Sequence, residues 1–189
     1  RESFGIAFPV SGIFENPTIE RLAAAVKRDA SPAPRCLVPI QPNGTKRPFF
    51  CVHSAPGSVF CYVALARHLG SDQPFYGLQA AGLEDAGAPL SSIGDMAARY
   101  LHEVRKVQPH GPYRLGGHSL GGVVSFEMAR RLEEEGECVS VLAILDCAPP
   151  PCGHRSADVY NAVVAATPDS LWLAGFARLI EQFFGRRLE

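Results

Sequence analysis

Apolar runs and amphipathic stretches alternate along the chain from residue 36 onward. Short apolar runs predict buried strands at 48–53, 75–79 and 139–145, and a further run predicts an edge strand at 37–40. Apolar residues at helical spacing predict helices at 59–69, 92–107 and 123–135. Apolar strands separated by helices indicate an α/β fold with a mostly parallel sheet that helices cover on both faces.

The sequence also predicts where two helices begin and which faces one of them buries. Ser92 followed by Asp95 resembles a capping box at the start of the 92–107 helix. In the 123–135 helix, the pattern points Val124, Met128 and Leu132 inward and Glu127, Arg130 and Glu134 outward. Both helices are therefore expected to pack one face on the sheet.

The chain divides into two segments of unequal length. In residues 1–28, Thr18 can cap a short helix, but so short a segment cannot form a domain alone. Residues 29–35 are rich in proline and small residues, which predicts an extended linker. The α/β pattern occupies residues 36–189, with its core at 36–146.

Composition and charge exclude several classes of function. The net charge is −1, from 18 basic and 19 acidic residues, which indicates neither a nucleic-acid partner nor an anionic membrane. No apolar run approaches the roughly 18 residues of a membrane-spanning helix, and the charged N-terminus does not resemble a signal peptide. The six cysteines form no CxxC pair, which predicts reduced thiols and a cytoplasmic protein. Because residue 1 is arginine, we expect the chain to be an excerpt of a longer protein.

The pentapeptide Gly-His-Ser-Leu-Gly at 117–121 is the strongest chemical signal. A strand is expected to end just before it and a helix follows it, which is the context of the nucleophile elbow of α/β-hydrolases. Small residues on either side make room for the sharp turn, and the N-terminus of the helix favours negative charge. We therefore predict Ser119 as the nucleophile; the alternative is a serine that only caps the helix.

An oxyanion hole requires two backbone N–H groups near the nucleophile. One should belong to Leu120, directly after the serine. The other should come from the loop at 53–58, and Ala55 is the expected donor because Pro56 has no N–H. The alternative for this loop is an ordinary glycine-rich turn. The sequence contains no Walker loop, no GxGxxG motif and no metal-ligand cluster, so we expect the domain to bind no cofactor or metal itself.

The acid and the base of a catalytic triad should follow the nucleophile in this fold. Asp146 ends the predicted strand at 139–145, where it could orient a histidine or simply cap the next turn. Beyond it only His154 follows, too soon for another strand and helix to intervene. The elbow should turn His118 away, and His53 should help to shape the oxyanion loop. The residues therefore predict a nucleophile and an acid without a base.

Several segments together resemble the type I thioesterase domain that ends modular nonribosomal peptide synthetases and polyketide synthases. The matching segments are 37–44, 48–53, 62–69, 73–79, 111–122 and 126–129. They cover most of residues 36–146 and imply an α/β-hydrolase fold. The resemblance also implies an acid 27 residues after the serine, which is the spacing of Asp146 from Ser119.

The segment at 1–28 resembles the C-terminal end of a peptidyl or acyl carrier domain, through residues 4–6, 8–10 and 14–19. This resemblance implies that a carrier precedes the thioesterase in the same polypeptide. The carrier would deliver the substrate on its 4′-phosphopantetheine arm, and the serine that holds this arm would precede Arg1.

The resemblance further implies release of an acyl or peptidyl chain from the carrier thioester through a Ser119 acyl-enzyme, by hydrolysis or by cyclisation. Residues 147–189 look like the start of the lid, and the catalytic histidine is expected beyond Glu189. The fragment alone would then be inactive. The alternatives are a free-standing serine esterase or lipase and a catalytically inactive acyl-binding module.

Overall fold

The computed structural model describes residues 10–27, 35–83 and 90–147, and the strands within them form one five-stranded sheet. The strands are β1 (Leu37–Gln41), β2 (Phe49–Val52), β3 (Phe75–Leu78), β4 (Tyr113–His118) and β5 (Val139–Leu145). Their order across the sheet is β1-β3-β2-β4-β5. β1 runs antiparallel to β3, whereas the other neighbours are parallel. The predicted fold class and the edge strand are confirmed.

The helices of the described residues lie close to the predicted positions, except the first, which was not predicted. They are α1 (Val10–Glu15), α2 (Ile19–Lys27), α3 (Val63–His68), α4 (Ile93–Val107) and α5 (Leu120–Glu134). A 3-10 turn at Phe60–Tyr62 precedes α3, so the predicted helix at 59–69 consists of two pieces.

Both predicted N-terminal caps are present. The Thr18 hydroxyl accepts a hydrogen bond from the Arg21 N–H at 3.2 Å, and the Ser92 hydroxyl accepts one from the Asp95 N–H at 3.0 Å. The Ser92 hydroxyl also donates to the Asp95 carboxylate at 2.7 Å. Such caps satisfy N–H groups that the first helical turn leaves without a partner.

The path of the chain opens a crevice at one place in the sheet. From β2 the chain moves to β3 on one side, and from β3 it crosses to β4 on the other side of β2. Because parallel crossovers are right-handed, α3 lies on one face, whereas α4 and α5 lie together on the other. Ligand sites of such sheets lie beyond the carboxyl ends of the strands where the direction reverses. Here that point lies between β2 and β4.

Alternate residues of β2 fill the two faces of the sheet. Phe50 and Val52 are fully buried, and Cys51 belongs to a cluster on the α3 side. That cluster consists of Val38, Cys51, Val59, Tyr62, Ala66 and Phe75. A fully buried large apolar side chain contributes about 1.5–3 kcal/mol, so these residues hold the strand ends in place.

The first segment of the chain packs against this cluster. Phe14 of α1 lies on it, and the ring centroids of Phe14 and Phe60 are 5.5 Å apart. An ion pair of 3.5 Å joins Glu15 to Arg35, and both side chains are partly exposed. The aromatic contact thus connects α1 to the turn that follows the predicted oxyanion loop.

β5 differs from the prediction of a buried strand. Val141 is 39% exposed and Leu145 is 40% exposed. Within the residues that the structure describes, β5 pairs with β4 and no strand pairs with its other side. The apolar composition of β5 was correctly recognised as a strand, but its burial was wrong because a run of residues does not show which neighbours cover it.

Glu127 is a second correction, because it was predicted to point outward and is buried. Its carboxylate accepts hydrogen bonds from the Arg130 Nε and from the Arg131 Nε, each at 2.8 Å. The hydrogen bonds from Arg130, assisted by Arg131, lower the pKa of the Glu127 carboxyl against the opposing effect of burial. A buried carboxylate is tolerated when it is paired in this way, which a polar-outside pattern does not reveal.

Other predictions fall partly outside the described residues. These are the linker before Arg35, the lid after Cys147, His154 and one cysteine, Cys152. No disulfide joins the five cysteines that the structure does describe. Among the described helices, none has the length and apolar character required to cross a membrane.

Candidate functional site

Ser119 lies in a strained turn between β4 and α5. Its backbone angles are φ 54° and ψ −121°, a conformation that residues other than glycine rarely adopt. Two hydrogen bonds hold this turn: the Ser119 N–H donates to the Leu145 carbonyl, and the Gly122 N–H donates to the Ser119 carbonyl, each at 2.9 Å. Strain of this kind persists only where the surroundings over-determine it, and it is concentrated at functional sites.

The geometry of Ser119 argues against the role of a helix cap. A capping serine has extended backbone angles, and its side-chain oxygen accepts a bond from an N–H of the first turn. Ser119 has a positive φ, and its side chain makes no capping hydrogen bond. The hydroxyl is therefore not occupied at the start of α5, as the nucleophile prediction requires.

Two glycines allow α5 to begin directly against the ends of the strands. A Cβ atom on Gly117 would lie 2.2 Å from the Gly121 carbonyl carbon, and one on Gly121 would lie 2.2 Å from the Val52 carbonyl oxygen. Both distances are far below van der Waals contact with backbone atoms, so larger residues would displace the helix. These glycines place the N-terminus of α5 beside the end of β2.

The predicted oxyanion loop forms a tight turn after β2. The Gly57 N–H donates to the Ser54 carbonyl at 2.9 Å and closes the turn, and Gly57 has a φ of 85°. Ala55 is exposed in this turn, and within the described residues its N–H makes no hydrogen bond. Leu120 is the first residue of α5, where an N–H has no partner inside the helix. Both predicted donors thus have N–H groups that the described residues leave unused.

A buried histidine connects this loop to α4 through hydrogen bonds. His53 is 2% exposed, its Nε2 lies 2.7 Å from the Tyr100 hydroxyl, and its Nδ1 lies 2.7 Å from the Ser54 carbonyl oxygen. A carbonyl only accepts, so Nδ1 carries the proton and the Tyr100 hydroxyl donates to Nε2. The Ser54 carbonyl therefore receives both the His53 and the Gly57 N–H groups. This agrees with the expectation that His53 shapes the oxyanion loop.

Burial governs the ionisation of both partners in this pair. It lowers the pKa of His53, with the hydrogen bond to Ser54 as a smaller opposing effect. It also raises the pKa of the Tyr100 hydroxyl well above its usual range, against a smaller effect of a hydrogen bond with the Ala81 backbone. At neutral pH the neutral imidazole and the neutral phenol are therefore the stable forms.

We expect the free energy of unfolding to decrease as the pH falls below about 6.5, the ordinary histidine pKa in an unfolded chain. Because the folded-state pKa of His53 is lowered, the unfolded state takes up a proton first. The contribution of His53 to the free energy of unfolding is fully present above the unfolded-state pKa. As the pH falls to the folded-state pKa, this contribution is lost, and the loss is about 1.4 kcal/mol for each pH unit by which the folded-state pKa is lowered. Urea unfolding of this chain at pH 7.5 and at pH 5.5 measures the difference.

The matched control for this prediction is His53→Asn. An asparagine amide retains an N–H near the position of Nδ1 but does not titrate in this range. We expect the variant to lose stability at both pH values and to show a smaller change between them. Equal changes in the two proteins would contradict a role for His53 in the pH dependence.

Asp146 follows β5 and has a φ of 51°. Its carboxylate is 78% exposed, and its Oδ2 lies 3.5 Å from Nε2 of His118. Because β4 and β5 are parallel neighbours, Ser119 and Asp146 extend from adjacent strands at the same edge of the sheet. The structure thus brings the predicted acid to the side of the predicted nucleophile.

No base is found in the described part of the chain. Within it, no hydrogen bond joins a histidine ring to the Ser119 hydroxyl. His53 is bound to Tyr100, the His68 ring lies 2.8 Å from the Ala64 carbonyl oxygen, and the His110 ring lies 3.1 Å from the Glu137 carboxylate. No group of His, Cys, Asp or Glu in these same residues could hold a metal ion.

Four contacts near the site were not predicted from the sequence. They are the pairing of His118 with Asp146, the hydrogen bond of Tyr100 to His53, and the two hydrogen bonds of the Tyr62 hydroxyl. Tyr100 lies in the predicted 92–107 helix but was assigned no polar role. A buried tyrosine usually finds a partner for its hydroxyl, and that rule was the available signal.

A family model described as "Thioesterase domain" matches residues 47–166. The chain is 44% identical over 161 residues to malpinin synthetase of Mortierella alpina. It is 43% identical over 150 residues to a dimodular nonribosomal peptide synthase of Bacillus subtilis (strain 168). These alignments cover 82% and 79% of this chain but only 2% and 6% of those proteins, so the chain spans a small part of each relative.

Solved structures of nonribosomal peptide synthetases and of thioesterase domains also match the chain. A four-domain nonribosomal peptide synthetase bound to AMP and glycine matches with a TM-score of 0.70 at 29% identity, over 90% of this chain and 12% of that chain. The NocB thioesterase domain, in covalent complex with a fluorophosphonate nocardicin G analogue, matches with a TM-score of 0.55 at 33% identity. That match covers 71% of this chain and 62% of the NocB domain chain.

Proposed function

Because the chain belongs to the thioesterase domain family, we propose that it releases an acyl or peptidyl chain from a carrier-bound thioester in a nonribosomal peptide synthetase. The observation that carries this proposal is the elbow at Ser119, whose hydroxyl takes no part in capping α5. The elbow lies at the crevice between β2 and β4, where a substrate can approach both the serine and the 53–58 loop.

The proposed reaction has two covalent steps. The Ser119 oxygen attacks the thioester carbonyl, a base takes the serine proton, and the negative oxygen is held by the N–H groups of Leu120 and Ala55. The carbon–sulfur bond then breaks, and the pantetheine sulfur leaves with the proton from the base. In the second step, water or a nucleophile within the bound acyl or peptidyl group attacks the serine ester, and the base takes its proton. The bond to the Ser119 oxygen then breaks, the base returns the proton to that oxygen, and the product is the hydrolysed or cyclised chain.

Asp146 is the proposed acid, and the base is a histidine outside the described residues. Asp146 would hold the imidazole in one tautomer and stabilise its charged form. The parallel pairing of β4 and β5, which carry the nucleophile and this acid at the same edge, supports the assignment. Because the base is outside the described residues, we propose that residues 10–147 are insufficient for turnover.

The domain organisation is also a proposal: the end of a carrier at 1–28, a linker at 29–35, and a thioesterase at 36–189. The match to the four-domain synthetase supports it, because that match covers 90% of the chain. Residues 36–189 alone are a smaller share of the chain, so the match also includes part of the segment before residue 36. The packing of Phe14 against Phe60 fits a carrier end that stays close to the thioesterase. In this arrangement the upstream carrier supplies the substrate on phosphopantetheine, and the thioesterase binds no cofactor of its own.

The proposal predicts a covalent acyl-enzyme. When the full-length protein is incubated with octanoyl-pantetheine thioester and quenched with acid, we expect the peptide that contains Ser119 to gain the mass of the octanoyl group. Ser119→Ala should gain none, and Ser140→Ala should behave as the wild type because Ser140 lies at the other end of β5. Mass spectrometry of the digested protein measures the adduct.

The two alternatives give different outcomes when simple octanoyl oxygen esters are assayed beside the octanoyl-pantetheine thioester. A free-standing esterase would cleave simple oxygen esters as readily as the thioester and would not require the carrier. An inactive acyl-binding module would bind octanoyl-pantetheine without any adduct at Ser119. Either result would contradict the proposed function.

A further inference from the structure

The hydroxyl of Tyr62 bridges two strands at the opening of the crevice. It donates a hydrogen bond to the Val52 carbonyl at 2.5 Å and accepts one from the His118 N–H at 2.9 Å. Tyr62 is buried, and its ring lies 6.1 Å from that of Phe75 in the cluster on the α3 side. The hydroxyl therefore holds a defined position between the ends of β2 and β4.

The bridge begins where the direct pairing of the two strands ends. The last paired residues of β2 and β4 are Val52 and Gly117. On the other side of β4, pairing with β5 continues through His118, and the Ser119 N–H still donates to the Leu145 carbonyl. At this end β4 thus separates from β2 but stays paired with β5, and a hydroxyl replaces a direct N–H to carbonyl bond between β2 and β4. Two hydrogen bonds in series span a wider gap than one.

Both predicted oxyanion donors lie a short distance along the chain from this bridge. Val52 is followed by the 53–58 loop with Ala55, and His118 is followed by Ser119 and Leu120. The Val52 carbonyl is also the atom that the start of α5 approaches at Gly121. The width of the gap at Tyr62 therefore affects the separation of the two donors.

We propose that Tyr62 is a positioning residue whose hydroxyl sets the spacing between the nucleophile elbow and the oxyanion loop. This inference rests on the proposed function, since it assumes that Ser119 and the two N–H groups act on one substrate. Burial raises the pKa of the Tyr62 hydroxyl well above its usual range, so the hydroxyl keeps its proton and can donate to Val52 throughout the working pH range. Tyr62 itself touches no reacting atom and acts through the backbone.

The test uses Tyr62→Phe in the full-length protein and an ethyl fluorophosphonate probe. The Ser119 oxygen forms a bond to phosphorus, the phosphorus–fluorine bond breaks, fluoride leaves, and the serine proton passes to the base. Because the phosphoryl oxygen occupies the oxyanion hole, the maximal labelling rate reports the geometry of the donors, whereas the half-saturating concentration reports binding. We expect the maximal rate to fall by about tenfold to 100-fold, with half-saturation within about twofold of the wild type.

Tyr113→Phe is the matched control. Tyr113 is a buried tyrosine at the other end of β4, and its hydroxyl donates to the Pro109 carbonyl at 2.8 Å. This variant also loses one buried hydroxyl, and we expect its labelling rate to equal that of the wild type. The thermal unfolding midpoint of each variant separates a loss of stability from a loss of rate.

Each other result would overturn the inference. An unchanged labelling rate in Tyr62→Phe would show that the gap does not depend on the hydroxyl. Equal losses of rate in both variants, or failure of Tyr62→Phe alone to fold, would reduce Tyr62 to a structural role. If the wild type is not labelled at Ser119, the proposed function fails and the inference fails with it. If the wild type is labelled, the proposed function stands, and the rate of Tyr62→Phe tests the role of Tyr62 alone.

Discussion

Under the proposed function, replacing Ser119 with alanine is expected to slow release of the product from the full-length protein by about six orders of magnitude, as removal of the nucleophile does in serine hydrolases. The alanine removes the side-chain hydroxyl of Ser119 at the strained turn between β4 and α5, so no acyl-enzyme can form there. Because alanine is no larger than serine, it introduces no clash, and we expect the fold to persist. Single-turnover assays of the full-length protein with a loaded carrier measure the rate of release.

Loading of the carrier is the internal control for this variant. We expect the acyl or peptidyl chain to remain attached to the phosphopantetheine arm, where mass spectrometry detects it. Ser140→Ala should release product at the rate of the wild type. Release that continues at a comparable rate in Ser119→Ala would show that another group, or another domain, performs the reaction.

Replacing Asp146 with asparagine is expected to lower the rate of release by about four orders of magnitude. Asparagine adopts a positive φ about as readily as aspartate, so the backbone at φ 51° should be retained. The amide lacks the negative charge that stabilises a charged imidazole, and it favours the wrong tautomer of the base. The release rates of the variant and the wild type are compared across pH 6 to 9. The upper part of this range, where the proposed histidine base is neutral, measures the loss of rate that is due to the missing carboxylate.

Glu137→Gln is the matched control for Asp146→Asn. Glu137 lies just before the start of β5, at the other end of the strand from Asp146, and its carboxylate accepts a bond from the Gly111 N–H at 2.8 Å. Loss of this carboxylate should leave the release rate within about twofold. If the two variants release product equally well, Asp146 is not the acid of the triad.

The positions of the strands and of the elbow could be predicted because each depends on residues close together in the sequence. The apolar runs of β2, β3 and β5, the cap at Ser92 and the glycines around Ser119 each impose a local conformation. The carboxyl ends of parallel strands meet at one edge, so the chemistry that follows β4 and β5 could be placed together as well.

The remaining features depend on partners that are distant in the sequence. Glu127 is the exception, because its partners Arg130 and Arg131 lie three and four residues later in α5, and the polar pattern does not show that they pair with it. The exposure of β5 depends on what lies beside the edge that no described strand pairs with. The hydroxyls of Tyr62 and Tyr100 act on His118 and His53, which are 56 and 47 residues away along the chain. Periodicity identifies such tyrosines as core residues but does not show which polar atom they reach.

The crossover between β2 and β4 has a consequence for the synthesis of the protein on the ribosome. β4 begins at Tyr113, about 60 residues after Val52, so β2 leaves the ribosome well before the strand that pairs with this side of it. At a synthesis rate of about 5–20 residues per second, one edge of β2, with its unpaired backbone N–H and C=O groups, waits roughly 3–12 s for its partner strand. During that interval the nascent chain presents an open strand that a chaperone can recognise and that a neighbouring chain can extend.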